Sequence, residues 1–359
     1  MSKIRVLHAY YTRDFTYSKR RQMEAERASA AHIGAVWDLL VYSKNKPKTA
    51  PSYLRYQSSP SRLGSLLHLF RFHLKVNALA KKYDLILKRH NKLDIFQPIF
   101  SLLQPNIIPM HHAKEDMEIL LNDSSLWGRV KARIECYLTI ICTIRVKFVA
   151  GVTPEISAYH SLRSLNNKPW VSLPNGYDPN SFPLIADKRT GIPKIIFVAT
   201  LFKPWHGLDR LLNAAVASNS DFILYVVGEV DEVILKAYSQ DCRIVFYGYL
   251  EGLVYRPILA EADVAIGSLQ FHLTGLNESC TLKNTDYLLS GLCVYAGDTD
   301  CRLPSDFPYY VVGQPDIESI CSFAIRMRSF PRLKIREAAL PYVSKISHLK
   351  SFLNQAEKF

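Results

Sequence analysis

Hydrophobic residues in the second half of the chain form short apolar runs, separated by stretches of about ten residues with helical periodicity. Six of these runs predict strands, at Ile195–Ala199, Phe222–Val227, Ile244–Tyr247, Val264–Gly267, Val294–Ala296 and Tyr309–Val312. Helices are predicted near 207–217, 230–239, 254–262, 282–290 and 316–328. Apolar runs that alternate with helices are typical of a parallel sheet covered on both faces.

The first half of the chain repeats this rhythm less regularly. Strands are predicted at Arg5–Tyr10, Ala35–Val41, Tyr83–Leu87, Asn106–Met110 and Val146–Val152, and helices at 16–32, 61–81, 126–143 and 154–163. The Ser-, Pro- and Lys-rich stretch 43–62 predicts a mobile surface loop. We therefore expect an α/β protein with two doubly wound, Rossmann-like domains, whose ligands bind beyond the carboxyl ends of the strands.

A joint between the domains is predicted at 173–180, where two prolines and an Asn-Gly pair interrupt regular structure. At 359 residues, the chain is too long for one ordinary hydrophobic core. The expected division is an N-terminal domain at 1–173, a C-terminal domain at 174–340, and a final helix in 341–359 that packs back toward the N-terminal domain.

Charge is distributed unevenly along the chain. Residues 1–180 carry 27 Lys and Arg against 13 Asp and Glu, a net charge of +14, whereas the remainder carries 18 against 19, a net charge of −1. This asymmetry indicates an anionic partner for the N-terminal half: a membrane surface, a pyrophosphate-linked acceptor or a nucleic acid.

Composition also narrows the class of protein. The sequence contains no apolar stretch long enough to predict a membrane span, and its start lacks the pattern of a secretory signal. Its seven cysteines are scattered without a Cys-x-x-Cys pair. We therefore expect a cytoplasmic protein with reduced thiols and no zinc site.

The most informative stretch is Gly275–Gly291, where Glu278 and Asp286 are separated by seven residues. A helix from Leu282 would place Glu278 in the preceding loop and Asp286 near the helix start. Unpaired N–H groups at a helix start favour a phosphate or sugar hydroxyls. A carboxylate there can accept two hydrogen bonds from a vicinal diol.

Three motifs in order carry a resemblance to a known family. They are Pro174-Asn-Gly-x-Asp178, a strand and loop ending in His206-Gly207-x-x-Arg210, and Glu278-x7-Asp286 closed by a glycine. This arrangement resembles the Glu-x7-Glu signature of retaining, family-4 glycosyltransferases of the GT-B fold, in which two Rossmann-like domains face each other across a cleft. The resemblance implies that Glu278 holds the donor sugar and Asp286 the nucleotide ribose. The Asp is one methylene shorter than the family's Glu.

The resemblance also implies cations around the leaving diphosphate. The family has an Arg just after the strand and a Lys before the glycine, where this chain has Thr200 and His206. Its loop is one residue longer and carries Lys203. We infer that Lys203, His206 and Arg210 share this role, because stabilisation of charge on a leaving group is commonly a large catalytic contribution. The alternative is that Arg210 is a solvated helix residue and His206 a helix cap.

Other residues of the C-terminal domain join the predicted donor site. Lys283 lies in the Lys-x-x-Asp-Tyr-Leu run, and Gly207 opens the helix after the cation loop. Gly228 and Gly248 end two strands at the edge where the nucleotide is expected. For both of these glycines, an ordinary turn is the alternative interpretation.

In the N-terminal domain, the loop after the first strand lacks the Gly-Gly pair that is common in the family. It offers Thr12, Arg13, Lys19 and Arg20 instead. These residues are predicted to bind an anionic acceptor, with an ordinary basic helix start as the alternative.

His111 and His112 follow the strand predicted at Asn106–Met110, where family members place a histidine that faces the donor sugar. We therefore predict them, with Glu278, as catalytic residues. Ordinary loop histidines are the alternative.

The resulting hypothesis is a retaining hexosyltransferase. It would move a sugar from a nucleotide-diphosphate-sugar to a lipid-pyrophosphate-linked acceptor in surface polysaccharide synthesis, as a peripheral protein on the cytoplasmic face of the cell membrane. No cofactor, metal or nucleic acid is expected, and the Asp298-Thr-Asp300 run is interpreted as a turn.

Alternatives remain at this point. One is a non-catalytic GT-B-like module that binds an anionic surface or nucleic acid through its basic half. A sugar-nucleotide epimerase is another. The basic, apolar stretch Ser61–Tyr83 either lies in a membrane interface or covers the sheet with its cations directed outward.

Overall fold

The structure is a computed structural model that describes residues 4–45, 50–56, 62–250, 252 and 254–359. The chain divides into two compact units. The first comprises the chain up to Pro174 together with Lys345–Phe359, and the second comprises Asn175–Ser344.

The strands, in chain order, are β1 Arg5–Thr12, β2 Val36–Ser43, β3 Leu54–Tyr56, β4 Leu85–Arg89, β5 Ile107–His111, β6 Val149–Gly151, β7 Trp170–Ser172, β8 Lys194–Leu201, β9 Ile223–Glu229, β10 Ile244–Gly248, β11 Val264–Ile266, β12 Glu278–Ser279, β13 Cys293–Ala296, β14 Thr299–Asp300 and β15 Tyr310–Val312.

The α-helices are α1 Tyr17–His32, α2 Arg62–Leu79, α3 Gln97–Leu103, α4 Glu115–Asn122, α5 Leu126–Thr143, α6 Pro154–Arg163, α7 Leu208–Ala217, α8 Glu232–Tyr238, α9 Arg256–Glu261, α10 Leu282–Leu289, α11 Ile317–Arg328, α12 Arg332–Val343 and α13 Lys345–Ala356. None of the helices in the described part of the chain combines the length and apolarity needed to cross a membrane.

Each unit is built on an open parallel sheet. The first sheet has the strand order β3-β2-β1-β4-β5-β6-β7, and the second has the order β10-β9-β8-β11-β13-β15. Every strand pairs with its neighbours in parallel, as does the separate pair of β12 and β14. The α/β prediction with two doubly wound, Rossmann-like sheets is confirmed.

Some elements differ from the sequence-based prediction. Strands β3 and β7 were not predicted, because each has three residues at a sheet edge and little apolar signal. Within the predicted loop at 43–62, residues 46–49 and 57–61 lie outside the described residues, while β3 supplies an edge strand. Helix α2 packs Phe72 and Val76 into the core beneath the first sheet, so it does cover the sheet.

A buried ionic cluster fastens the final helix to the first unit. Glu26 of α1 lies 2.5 Å from His8 Nδ1 on β1 and 3.4 Å from Lys345 Nζ on α13. Lys345 also donates to the Pro174 carbonyl at 2.7 Å. Burial alone would raise the pKa of Glu26, but His8 and Lys345 outweigh it and lower the pKa to about 2. Glu26 therefore links one strand and two helices as a charged group.

Replacing Glu26 by Gln should lower the free energy of unfolding by about 3 kcal/mol at pH 7, because Lys345 would remain buried without its carboxylate. The matched change Glu118→Gln, in an ion pair whose side chains are 39% and 40% exposed, should cost less than about 1 kcal/mol. Urea denaturation of both variants measures the difference. Equal losses of stability in the two variants would show that the Glu26 ion pair contributes no more than an exposed ion pair.

The same comparison has a pH dependence. Because the pKa of Glu26 lies below its usual value of 4.5, its contribution is complete above pH 4.5 and is lost as the pH falls toward 2. The difference between Glu26→Gln and the unmodified chain should shrink over that interval.

Candidate functional site

Loops at the carboxyl edge of the second sheet are joined by backbone hydrogen bonds. In the loop after β11, Leu269 N donates to the His206 carbonyl of the loop after β8 at 3.0 Å. After β13, Gly297 N donates to the Ser268 carbonyl at 2.8 Å. The strand order reverses between β8 and β11, so these loops lie at the switch point where open α/β sheets bind ligands.

His206 closes the loop after β8. Its Nδ1 accepts a hydrogen bond from Lys203 N at 2.9 Å, so the neutral ring carries its proton on Nε2. Burial, with the charges of Lys283 and Lys203, lowers the pKa of His206 to about 3. At pH 7 His206 is therefore neutral and offers a hydrogen-bond donor, and its part in binding the diphosphate stays a prediction.

Two exposed cations flank His206: Lys203 in the same loop and Arg210 in the first turn of α7. With the Gln270 amide oriented to satisfy both of its ends, its oxygen accepts from Arg210 Nε at 2.5 Å. Gly207 has a φ of +72°, and a Cβ there would lie 2.9 Å from Leu269 Cβ. Glycine is therefore needed where the two loops approach each other.

The other predicted glycines lie at the ends of strands. Gly228 in β9 has a φ of +139°, and a Cβ there would lie 1.9 Å from the Ala199 carbonyl oxygen. Close packing against β8 thus explains this glycine. Gly248 ends β10 at a φ of +66°. Nucleotide contact stays a prediction for both.

The segment that carries the two acids spans a short strand and α10, in which Asp286 lies in the second turn and not at the start as expected. Glu278 lies in β12, opposite Thr299 of β14. The side chain of Thr281 caps α10. Asp286 is buried in α10 and accepts a hydrogen bond from the Tyr255 hydroxyl. Burial and the Asp286 charge raise the pKa of Tyr255 well above 10, so the phenol remains the donor.

Lys283 Nζ and the Asp298 carboxylate are buried with unused hydrogen-bonding capacity. Within residues 4–359, apart from the segments left undescribed, neither group makes a hydrogen bond of ordinary length and angle, although the Ser279 hydroxyl interacts with Asp298. Lys283 Nζ lies 4.8 Å from the centroid of the Phe197 ring. Burial lowers the pKa of Lys283 to about 7 against the Asp298 charge. Burial likewise raises the pKa of Asp298 to about 7, against the opposing effects of Ser279 and Lys283. Such groups are rare in protein interiors, so they mark a place for a polar ligand.

The interpretation of 298–300 as a simple turn is incomplete. Asp298 lies in a bend, whereas Asp300 belongs to β14 and forms two hydrogen bonds with Arg302, at 2.7 and 2.5 Å. Arg302 also donates to Thr285 Oγ1 at 2.5 Å and to the Asn175 carbonyl at 2.8 Å. This buried pair therefore fixes α10 relative to the chain segment that enters the second unit.

In the first unit, the predicted acceptor-binding residues lie at the end of β1 and the start of α1. Lys19 Nζ donates to Thr12 Oγ1 at 3.0 Å, and Arg13 is exposed in the same loop. Arg20 is directed along α1, where it pairs with Glu24 at 2.9 Å. The structure thus brings Thr12 and Lys19 together but directs Arg20 elsewhere.

Two further residues lie beside this loop. The Arg89 guanidinium lies 4.5 Å from the centroid of the Tyr10 ring, and Lys19 Nζ lies 5.8 Å from it. Burial alone would raise the pKa of the Tyr10 phenol, but the charges of Arg89 and Lys19 outweigh it and lower the pKa below 10. Cations therefore gather where β1 and β4 end, at the switch point of the first sheet.

His111 ends β5 and is fully buried. Its Nδ1 lies 3.0 Å from Glu115 Oε2, and its ring stacks on His160 with centroids 3.7 Å apart. Burial and the neighbouring His160 lower the pKa of His111 to about 3. A side chain enclosed in this way contacts other protein groups, so its position gives no support to the predicted catalytic role.

His112 is half-buried, whereas His111 is fully buried. Among the described residues, the Nε2 atoms of both histidines are buried without a hydrogen-bond partner. Burial, followed by the Arg89 charge, lowers the pKa of His112 well below 6.5. The result is a neutral imidazole, and its predicted contact with the donor sugar stays a prediction.

His111, Glu115 and His160 have ligand atoms within 4.8 Å of one another, a spacing compatible with a metal ion. The two rings, however, are nearly parallel, at 14°, so their lone pairs lie in parallel planes and do not converge on one point. Although burial disfavours its charge, the Glu115 carboxylate raises the pKa of His160. The trio therefore fits a hydrogen-bonded pair of histidines on one carboxylate better than a metal centre.

Four residues at these sites were missed by sequence reasoning: Tyr10, Arg89, Tyr255 and Asp298. Only Asp298 had a local signal, the Asp-x-Asp run that was interpreted as a turn. The others reach their partners through the fold: Tyr255 contacts Asp286, which lies 31 residues away in sequence.

Comparison with solved structures identifies proteins that share this fold. No protein-family model matches the sequence, and no curated protein matches it. A solved structure of the lipopolysaccharide outer core galactosyltransferase WaaB is 10% identical, with a TM-score of 0.65, over 98% of this chain and 99% of that chain. Anabaena HepE in complex with UDP-glucose is 12% identical, with a TM-score of 0.64, over 99% of this chain and 100% of that chain.

A candidate UDP-N-acetylglucosamine 2-epimerase of Listeria monocytogenes has the same fold, at 13% identity and a TM-score of 0.54, over 100% of this chain and 98% of that chain. At these identities the likeness establishes a shared fold. The choice between transfer and epimerisation must come from the residues of the site.

Replacing Lys283 by Met should not lower the free energy of unfolding at pH 7, because the buried ammonium has no hydrogen bond to lose and its burial is itself unfavourable. The matched change Arg302→Met should cost about 3–5 kcal/mol, since it leaves Asp300 buried without its partner. Urea denaturation compares the two. Equal losses would make Lys283 a structural residue.

The effect of Lys283→Met should also depend on pH. A lysine whose folded pKa is lowered to about 7 destabilises the fold fully below pH 7, and this penalty fades as the pH rises toward 10.5. The variant should therefore be more stable than the unmodified chain at and below pH 7, and it should lose that advantage as the pH rises from 7 to 10.5.

Proposed function

We propose that this chain is a retaining glycosyltransferase that moves a sugar from a nucleotide-diphosphate-sugar to an acceptor. The observation that carries the proposal is the pair of buried, unsatisfied groups, Lys283 Nζ and the Asp298 carboxylate, in the segment that also holds Glu278 and Asp286. An ammonium suits a diphosphate, and carboxylates suit sugar hydroxyls. HepE, which shares the fold, was solved with UDP-glucose.

The donor would occupy the carboxyl edge of the second sheet. Glu278 binds the transferred sugar, and Asp286, oriented by Tyr255, binds the ribose. Lys203 and Arg210 neutralise the diphosphate as exposed cations. Lys283 contributes a desolvated ammonium from the protein interior. His206 adds a neutral hydrogen-bond donor. Charge stabilisation of a leaving group in a site shielded from water is worth more than in bulk water.

In the reaction, the bond between the anomeric carbon and the diphosphate oxygen breaks, and its electron pair leaves with the nucleoside diphosphate. The acceptor hydroxyl oxygen bonds to the same carbon, and its proton is released. Retention means that the new bond forms on the face that the diphosphate left. The cations of the site act on the leaving group, so side chains supply the electrostatic role that a metal ion has in other transferases.

The acceptor is proposed to be a lipid-pyrophosphate-linked glycan at the cytoplasmic face of a membrane. Thr12, Lys19 and Arg89 gather at the end of β1 and β4, where a pyrophosphate would meet two cations and a hydroxyl. Arg13 extends the same edge as an exposed cation. WaaB, whose fold is shared, is named as a lipopolysaccharide core galactosyltransferase.

Two other functions have less support. A non-catalytic binding module would not explain why the second unit, which is not the basic half, buries an ammonium and a carboxylate without hydrogen bonds of ordinary length and angle among its described residues. An epimerase would need a catalytic acid and base that face one sugar. In the first unit, Glu26, Glu115 and Glu135 are all engaged with buried histidines.

Nucleotide binding is tested by melting temperature. UDP, GDP and ADP are added in turn, and one of them should raise the melting temperature of the unmodified chain. Asp286→Ala should abolish the shift, because it removes the ribose ligand. The exposed control Asp221→Ala should keep it. A shift with none of the three, or one that survives Asp286→Ala, would contradict the assignment.

Turnover is tested by hydrolysis of a panel of nucleotide-sugars. Glu278→Gln should leave the nucleotide-dependent shift intact and lower turnover by about 10²–10³, because the sugar loses a charged ligand. Glu232→Gln, at a side chain that is 88% exposed in the same unit, is the matched control. Unchanged turnover in Glu278→Gln would remove Glu278 from the site.

A further inference from the structure

Helix α5 is amphipathic, but it buries its polar face and exposes its apolar face. Its buried face consists of small and polar residues: Gly128, Ala132, Glu135, Thr139, Cys142 and Thr143. Its solvent face is apolar, with Leu126 78% exposed, Trp127 71% exposed and Tyr137 67% exposed. Surface helices normally direct their apolar stripe to the core, so this orientation needs a cause.

The cause lies in a buried hydrogen-bonded group on the inner face. Glu135 Oε1 lies 2.6 Å from His90 Nε2, and Glu135 Oε2 accepts from Leu93 N at 2.5 Å. These contacts hold the polar side of α5 against the end of β4. The helix cannot rotate its apolar face inward without burying this carboxylate unpaired, which would cost several kcal/mol.

Two neighbouring helices of the first unit also expose apolar side chains. Helix α3 packs between α2 and α5 and exposes Ile99 and Leu103 on its outer side. Helix α2 buries Phe72 in the core but exposes Leu67 and Leu74. Large exposed apolar surfaces are uncommon on monomeric soluble domains, so the apolar outer face of α5 indicates a docking surface.

Cations border the apolar face of α5. At about 100° per residue, Arg129 and Arg133 lie along one border, and Lys131 lies along the other. In the part of the chain that the structure describes, Lys131 pairs with Asp123 at 3.1 Å, whereas neither Arg129 nor Arg133 is paired with a carboxylate. An apolar strip with Trp and Tyr, bordered by arginines, matches the boundary between acyl chains and anionic headgroups.

We propose that the outer face of α5, formed by Leu126, Trp127, Val130, Ile134 and Tyr137, inserts into the surface of an anionic lipid bilayer. The apolar side chains enter the acyl boundary, while Arg129 and Arg133 meet the headgroups. This inference deepens the proposed function, on whose lipid-linked acceptor its biological meaning rests. The binding itself requires no nucleotide-sugar.

The test is sedimentation of the full chain with vesicles of phosphatidylcholine alone, or of phosphatidylcholine mixed with phosphatidylglycerol. The unmodified chain should sediment with the anionic vesicles. The double variant Trp127→Glu/Ile134→Glu should lower binding by about tenfold or more, because it places charge in the acyl boundary. The matched double variant Val216→Glu/Val233→Glu, on exposed positions of the second unit, should bind like the unmodified chain.

A second pair of variants tests the charges. Arg129→Gln/Arg133→Gln should lower binding to anionic vesicles and leave binding to neutral vesicles unchanged, whereas Lys236→Gln/Lys350→Gln should change neither. Binding that ignores lipid charge, or that survives Trp127→Glu/Ile134→Glu, would overturn the proposal. So would a dimer in light scattering without lipid that the same variant dissociates, because the face would then bind a second copy of this chain.

Membrane binding and enzymatic activity are tested independently of each other. All the substituted positions on α5 are exposed, so Trp127→Glu/Ile134→Glu should keep the nucleotide-dependent rise in melting temperature and the hydrolysis of a water-soluble donor. Loss of vesicle binding with hydrolysis retained supports the surface. Vesicle binding by a chain that hydrolyses no nucleotide-sugar would support the surface and defeat the proposed activity.

Discussion

The buried ion pair between Asp300 and Arg302 is the interaction on which the site of the second unit depends. It fills both carboxylate oxygens and joins β14 to Thr285 of α10 and to the Asn175 carbonyl. A buried pair is costly to assemble, but it is strongly directional once its hydrogen bonds are satisfied. It therefore fixes where α10 begins and in which direction its first turn is oriented.

Close to this ion pair, the same segment holds two ionisable groups whose hydrogen-bonding capacity is unused. Lys283 Nζ and the Asp298 carboxylate are buried without a hydrogen bond of ordinary length and angle to any residue that the structure describes, and burial shifts the pKa of each to about 7. A fold optimised for stability alone would pair or replace such groups. The rigid pair supplies the frame in which the unsatisfied groups are held ready for a ligand, which is how preorganised sites reduce the cost of binding.

The sequence predicted those parts of the fold that depend on local pattern. Apolar runs and helical spacing located the central strands of both sheets, because buried parallel strands are continuously hydrophobic. Edge strands β3 and β7 carry too few residues for such a signal. The segment with Glu278 and Asp286 was recognised from spacing, and the roles of these acids stay predictions.

What the sequence could not supply is the set of contacts between distant residues. The partnership of Tyr255 with Asp286, the enclosure of His111 by Glu115 and His160, and the gathering of Arg89 beside Tyr10 all depend on tertiary packing. Helix α5 was located correctly, but the orientation of its apolar face depends on Glu135 and its partners on another element. Periodicity alone would have directed that face inward.

Hydrogen–deuterium exchange of the full chain, with and without a nucleoside diphosphate, tests the central claim most directly. The claim is that the start of α10 and the loop after β8 form one diphosphate site, so amides in 278–287 and 203–210 should become protected together when UDP, GDP or ADP binds. Protection confined to other segments, or no protection with any of the three, would contradict the account.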